Sequence, residues 1–220
     1  MTNRVRVKIC CISSIEEAAM AVRFGADALG LVSHMPSGPG VIDEKLIREI
    51  AQRVPPPVAT FLLTSYRDTD AIIDQQRRCR TNTLQLVDAL PTGSHARLRK
   101  ALPGVALVQV VHVRDEGAID EALAIQNDVD AILLDSGNPD LAVKELGGTG
   151  RVHNWAVSRA LIEAVSRPVF LAGGLRPDNV GQAIATVRPF GLDLCSGVRS
   201  DGALDPDKLA AFMGTVHAAT

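Results

Sequence analysis

Two adjacent thiols close a short β-branched stretch, Val7-Lys8-Ile9-Cys10-Cys11, just ahead of a helical pattern that opens at Ser14. A thiol at such a junction, close to helix N-termini, can be activated to act as a base; buried, it packs as a small apolar group. Successive strand residues face opposite sides, so one of the two is expected to point inward and the other away. A carboxylate with similar standing is Asp135, which follows the apolar run Ala131-Ile132-Leu133-Leu134 directly. Partial burial there would raise its pKa toward that of a general acid, while a loop-bracing role is the plainer alternative. Small residues gather at two further strand ends, Gly173 and Gly174 in "LAGGL" and Ser196 and Gly197 in "DLCSGV". Glycines let backbone N–H groups approach an anion closely, which makes these two ends a candidate phosphate cradle. A third glycine cluster, "GGTG" at 147–150, falls in a long loop that could add donors to the same anion or serve as a hinge.

Residues so far apart in sequence need a frame that collects them. Eight apolar stretches (5–10, 28–32, 58–63, 83–86, 105–111, 131–134, 168–172 and 191–194) alternate with segments of helical period (14–24, 43–53, 69–79, 94–101, 115–125, 155–164, 177–187 and 205–215). Most of the strands read as continuous apolar runs, as expected where both faces are covered. Ser14 with Glu17 three residues on fits a capping box, Asp43 fits an N-cap, and Pro177 and Pro206 fit first helical turns. Eight strand-then-helix units point to a closed (β/α)8 barrel occupying residues 1–220 as one domain. The rival doubly wound sheet would carry a GxGxxG turn after its first strand, and 5–10 is followed by none. In a barrel, reactive groups stand at the C-terminal ends of strands, where Cys10, Asp135 and both glycine clusters fall.

The bulk properties narrow the partners. The chain has 220 residues, 46% hydrophobic and 22% charged, with a net charge of −2, which supports neither nucleic acid nor a membrane surface as partner. Basic clusters at 77–80 and 95–100 read as solvated helix faces. Four cysteines follow no zinc-ligand spacing, and Cys10 and Cys11 are too close to staple a fold, so reduced thiols and a cytoplasmic location are expected.

Seven segments, "VKICCISS", "GADALGLV", "LQLVD", "ILLDSGNP", "GGTGRVHNW", "LAGGLRPDNV" and "DLCSGV", occur in the order and with roughly the spacing of the phosphoribosylanthranilate isomerase family, which this chain resembles over its whole length. The resemblance implies a (β/α)8 barrel of tryptophan biosynthesis that carries out an Amadori rearrangement. It casts Cys10 as the general base at sugar C2′ and Asp135 as the general acid at the ring oxygen. Phosphate would be held around Gly148, Gly173, Gly174, Ser196 and Gly197, with no metal and no organic cofactor. The implied partner is a small phosphorylated sugar-amine, and the assembly a monomer or homodimer.

Three positions depart from the family pattern. Cys11 stands where the family usually has glycine and is expected to pack facing away from the mouth. Val87-Asp88 replaces a histidine-bearing segment. Gly40 occupies the place of an arginine that resembles a clamp for the aglycone carboxylate. That role then falls to Arg67, Arg114, Arg199 or His34, or else the substrate lacks the carboxylate. Two other readings follow from the same residues: an isomerase or epimerase of a related sugar phosphate, or a non-catalytic phosphosugar-binding protein.

Overall fold

The computed structural model describes residues 4–137, 140, 141, 144, 146 and 154–220. Eight parallel strands close on themselves in sequence order: β1 (Arg6–Ile9), β2 (Ala28–Val32), β3 (Ala59–Thr64), β4 (Thr83–Leu86), β5 (Ala106–His112), β6 (Ala131–Asp135), β7 (Val169–Leu171) and β8 (Gly191–Leu194). The closing pair is β1 with β8, in register from Arg6 opposite Gly191 to Ile9 opposite Leu194. Helices α1 (Ile15–Arg23), α2 (Glu44–Arg53), α3 (Thr69–Cys79), α4 (Ser94–Ala101), α5 (Gly117–Ile125), α6 (Trp155–Ala164), α7 (Val180–Val187) and α8 (Pro206–Ala219) surround them.

Alternation along each strand separates two apolar compartments. Val7, Ile9, Leu29, Leu31 and Leu62 pack outward among the helices. Phe61, Leu63, Val108, Val110, Leu133 and Phe170 fill the interior of the barrel. With a Leu or Phe contributing about 1.5–3 kcal/mol when fully buried, both compartments hold the strands in register, and a slip of one residue would exchange them.

Local chemistry sets the ends of the elements. Asp43 and Asp205 cap their helices as expected, and Pro206 occupies the first turn of α8. The cap of α3 is Asp68, whose side chain accepts from Ala71 N. Helix α7 begins three residues later than Pro177 predicts, because Asn179 Nδ2 donates to Gly174 O at 2.9 Å and holds the preceding loop on the strand end. Ser14 caps α1, but Glu17 does not complete a box with it. Its carboxylate accepts from Ser13 N, and it turns to Arg199 instead. After β8 come a single 3-10 turn (Ser196–Val198) and a small hairpin of β9 (Arg199–Ser200) and β10 (Ala203–Leu204). Arg77, Arg78 and Arg80 are exposed, Arg78 in an ion pair with Glu44, as a solvated face requires. No described helix is long and apolar enough to cross a membrane.

Candidate active site

The C-terminal ends of the strands surround a cleft whose lining includes Cys10, Cys11, Gln85, Val87, Asp135, Gly173, Gly174, Asp193 and Cys195. Cys10 follows β1 with its backbone N–H on Leu194 O at 2.8 Å, so the closing strand pair extends one residue past β1. Two residues beyond inward-facing Lys8, the thiol points into the barrel. A Cβ built on Gly30 of β2 would stand 2.6 Å from Cys10 Sγ and 2.9 Å from Lys8 Nζ. Only glycine at 30 leaves room for the sulfur and the ammonium, which lie within 3 Å of that one point.

Lys8 is wholly buried, donating to Asp193 Oδ1 at 2.8 Å. Burial pulls its ammonium toward neutrality, but the charge of Asp193 outweighs that and holds it above its ordinary value. A cation is therefore fixed beneath Cys10. Neither Lys8 nor Asp193 belongs to the sequence-derived site. The available signal is that both are charged and stand in parallel strands two residues before Cys10 and Cys195, hence on the same inward face.

Asp135 ends β6 across the mouth and is 8% exposed. Its inward orientation continues the alternation of Ala131 and Leu133, which face the interior. Burial pushes its carboxyl up to about 6; the Ser136 N–H bond, at 2.7 Å, opposes this, the charge of Asp193 adds to it, and Lys8 opposes it. A carboxyl so placed keeps its proton to a higher pH than an exposed one, as a general acid requires. His112, at the end of β5, does not line the cleft. Its Nε2 pairs with Val87 O at 3.1 Å, and burial lowers its pKa.

The expectation for Cys11 is overturned. Strict alternation turns its side chain outward among the helices. Instead its φ is +61°, a left-handed residue that breaks the period of two and folds the thiol back into the mouth, where it lines the cleft with Cys10 and Cys195. The same turn explains why glycine suits this position, since an L-residue there is strained by about 1–2 kcal/mol. Cys11 also meets Gly40. A Cβ on Gly40, whose φ is +79°, would stand 2.4 Å from Cys11 Cβ. Two departures from the family pattern are thus one spatial feature: Cys11 occupies the room through which a side chain at 40 would leave the backbone.

The glycine clusters divide. Gly173 and Gly174, with φ of +88° and +62°, line the cleft at the end of β7. Ser196 lines an adjoining recess with Cys11, Gly40, Cys195 and Arg199. Gly197 serves close approach, as a Cβ there would fall 1.9 Å from Leu175 O and drive apart the loops after β7 and β8. Gly148 lies outside the described residues. Among the described cations, Arg199 borders the recess, whereas Arg67, Arg114 and His34 line neither space. Arg67 bonds Ala89 O, and Arg114 pairs with Asp140. Asp88, in the histidine-bearing segment, pairs with Lys144. Among the described residues, no group of three or more His, Cys, Asp and Glu side chains could hold a metal ion.

A closed eightfold barrel with a buried carboxyl and a thiol lining one cleft at its mouth defines a (β/α)8-barrel enzyme equipped for acid–base chemistry. The family model described as N-(5'-phosphoribosyl)anthranilate isomerase matches residues 7–215. The chain belongs to this family of aldose–ketose isomerases. It is 37% identical to N-(5'-phosphoribosyl)anthranilate isomerase 2 of Methanosarcina mazei, over 95% of this chain and 92% of that one. It is 36% identical to the isomerase of Moorella thermoacetica, over 98% and 91%. Among solved structures, the isomerase of Thermotoga maritima superposes with a TM-score of 0.82 at 31% identity, covering 97% and 99% of the two chains. An isomerase in complex with reduced 1-(o-carboxyphenylamino)-1-deoxyribulose 5-phosphate superposes at 0.80 with 29% identity and the same coverage.

Proposed function

We propose that this chain isomerises N-(5'-phosphoribosyl)anthranilate, with Asp135 as general acid and Cys10 as general base. The observation that carries the assignment is that both groups, one just past β1 and the other at the end of β6, line one cleft together with Gly173 and Gly174. Asp135 gives its proton to the ring oxygen as the bond from that oxygen to C1′ breaks and the nitrogen lone pair forms a C1′–N double bond. Cys10, as thiolate, takes the proton from C2′, and the electrons of that bond form the enolamine, which becomes the 2′-ketone. Atoms are conserved, so an aldose-derived amine becomes its ketose isomer. General acid and base contributions of this kind are each worth about 10²–10⁴-fold.

Lys8 supports the base through its fixed positive charge, and the backbone around Gly173, Gly174 and Ser196 meets the phosphate. Gly148 is assigned to the same phosphate on the family resemblance alone. Leu63 and Val87 form an apolar side of the cleft, suited to an aryl ring. The aglycone carboxylate has no arginine from position 40 to meet; among the described residues, the cation that lines the recess beside Gly40 is Arg199. The substrate is a small molecule, and a monomer or homodimer suffices, no second copy being needed to supply the acid or the base.

Complementation tests the substrate. A tryptophan auxotroph lacking this isomerase should grow when it expresses the chain. Failure to grow, with soluble protein present, would favour a related sugar phosphate that carries no aryl carboxylate.

A further inference from the structure

We infer that Cys11 and Cys195 form an oxidisable thiol pair at the barrel mouth, a modification site that closes as a disulfide when a hydroperoxide reaches it. The two side chains, 184 residues apart in sequence, line both the cleft and the adjoining recess together. Cys195 is only partly buried, so small oxidants have access to it from the recess. Arg199 lies on the same recess. Its guanidinium is bonded to both oxygens of Glu17 and to Cys11 O at 2.5 Å, which fixes its charge at the edge of the recess. Its side chain is 8% exposed, so this charge acts with little screening.

The two thiols are unequal. Accepting the bond from Cys11 lowers the pKa of Cys195, against burial and with help from Arg199, whereas that of Cys11 is driven up by bonding to Cys10 and Cys195 and by burial. An attacking thiolate beside a protonated resolving thiol is the arrangement that peroxide-sensitive cysteines use. The Cys195 thiolate attacks one peroxide oxygen, breaking the O–O bond to give a sulfenic acid and, with one proton taken up, water. The Cys11 sulfur then displaces hydroxide from that sulfenic acid, and the hydroxide leaves as water with the Cys11 proton. Two thiols are oxidised, one peroxide is reduced and two waters form. Both sulfurs open onto the same two spaces, and the disulfide brings them to about 2.05 Å. A vicinal Cys10–Cys11 link, by contrast, would have to distort the backbone that carries the base.

This modification does not depend on the isomerase assignment, and peptide mapping reads it without any substrate. Folded protein is treated at pH 7 with one equivalent of hydrogen peroxide, alkylated, and digested with trypsin without reductant. The predicted product joins the peptide 9–23 to the peptide ending at Arg199, in the wild type and in Cys10→Ser. It is absent from Cys195→Ser and Cys11→Ser, and dithiothreitol reverses it. Cys79 provides the internal control, being fully buried with its thiol pushed up to about 12, and it should react with peroxide at least about tenfold more slowly. Absence of that linked peptide from folded wild type, its loss in Cys10→Ser, or its appearance only after denaturation would overturn the assignment.

Discussion

Cys11 and Gly40 share one space at the barrel mouth: a methyl group on Gly40 would lie 2.4 Å from Cys11 Cβ and 2.8 Å from Cys11 Cα. Backbone atoms are involved, so rotation of the thiol does not relieve the contact. The two positions are therefore coupled, and the loop after β2 can carry a side chain at 40 only if residue 11 gives way. Gly40→Ala should destabilise the chain through both this contact and its φ of +79°. In a Cys11→Gly background the contact is gone and only the backbone strain persists. Urea unfolding of the four proteins should give a coupling of about 0.5–3 kcal/mol, with Gly40→Ala costing less when residue 11 is glycine. Additive losses would refute the shared space.

Lys8 and Asp193 should behave as a buried pair. Lys8→Met leaves the Asp193 carboxylate without its cation, and losing one partner of such a pair costs about 3–5 kcal/mol. Lys8→Met combined with Asp193→Leu removes both charges and should recover part of that loss. Thermal or urea unfolding of the single and double variants checks this, and a single variant as stable as the wild type would contradict the pairing.

The carboxyl of Asp135 makes stability depend on pH with a defined sign. Its value rises from 3.8 to about 6 on folding, so between those pH values the folded chain holds a proton that the unfolded chain releases. The resulting stabilisation is complete below about pH 4 and is lost as pH rises through 6, leaving a charged, buried carboxylate that costs on the order of 3 kcal/mol. Asp135→Asn removes that cost. The variant should be more stable than the wild type at pH 8, with the difference shrinking to nothing near pH 4. Equal stability at pH 8 would mean that the carboxylate is not desolvated.

Much of this architecture was legible in the sequence. Strands β2, β4 and β8 and helices α3, α4 and α6 fall on the residues that apolar runs and helical period indicate, because buried parallel strands and amphipathic helices write those patterns directly. The inward orientation of Cys10 and Asp135 follows from the same alternation. Cys11 escapes it because one left-handed residue reverses the side on which a side chain emerges, and alternation carries no mark of such a reversal. The Glu17–Arg199 pair was hidden for another reason. Glu17 has the spacing of a capping box, and its long-range partner, 182 residues away, competes successfully for both of its oxygens. The hairpin of β9 and β10 consists of two-residue strands, too short for any periodicity to register.

Turnover of N-(5'-phosphoribosyl)anthranilate by the wild type, Cys10→Ser and Asp135→Asn, each shown to be folded by circular dichroism, is the most direct test of an acid and a base facing each other across the mouth. The wild type should convert it to the ketose, and each variant should lose at least about 10²-fold in kcat. Either variant retaining more than about a tenth of wild-type turnover would contradict the account.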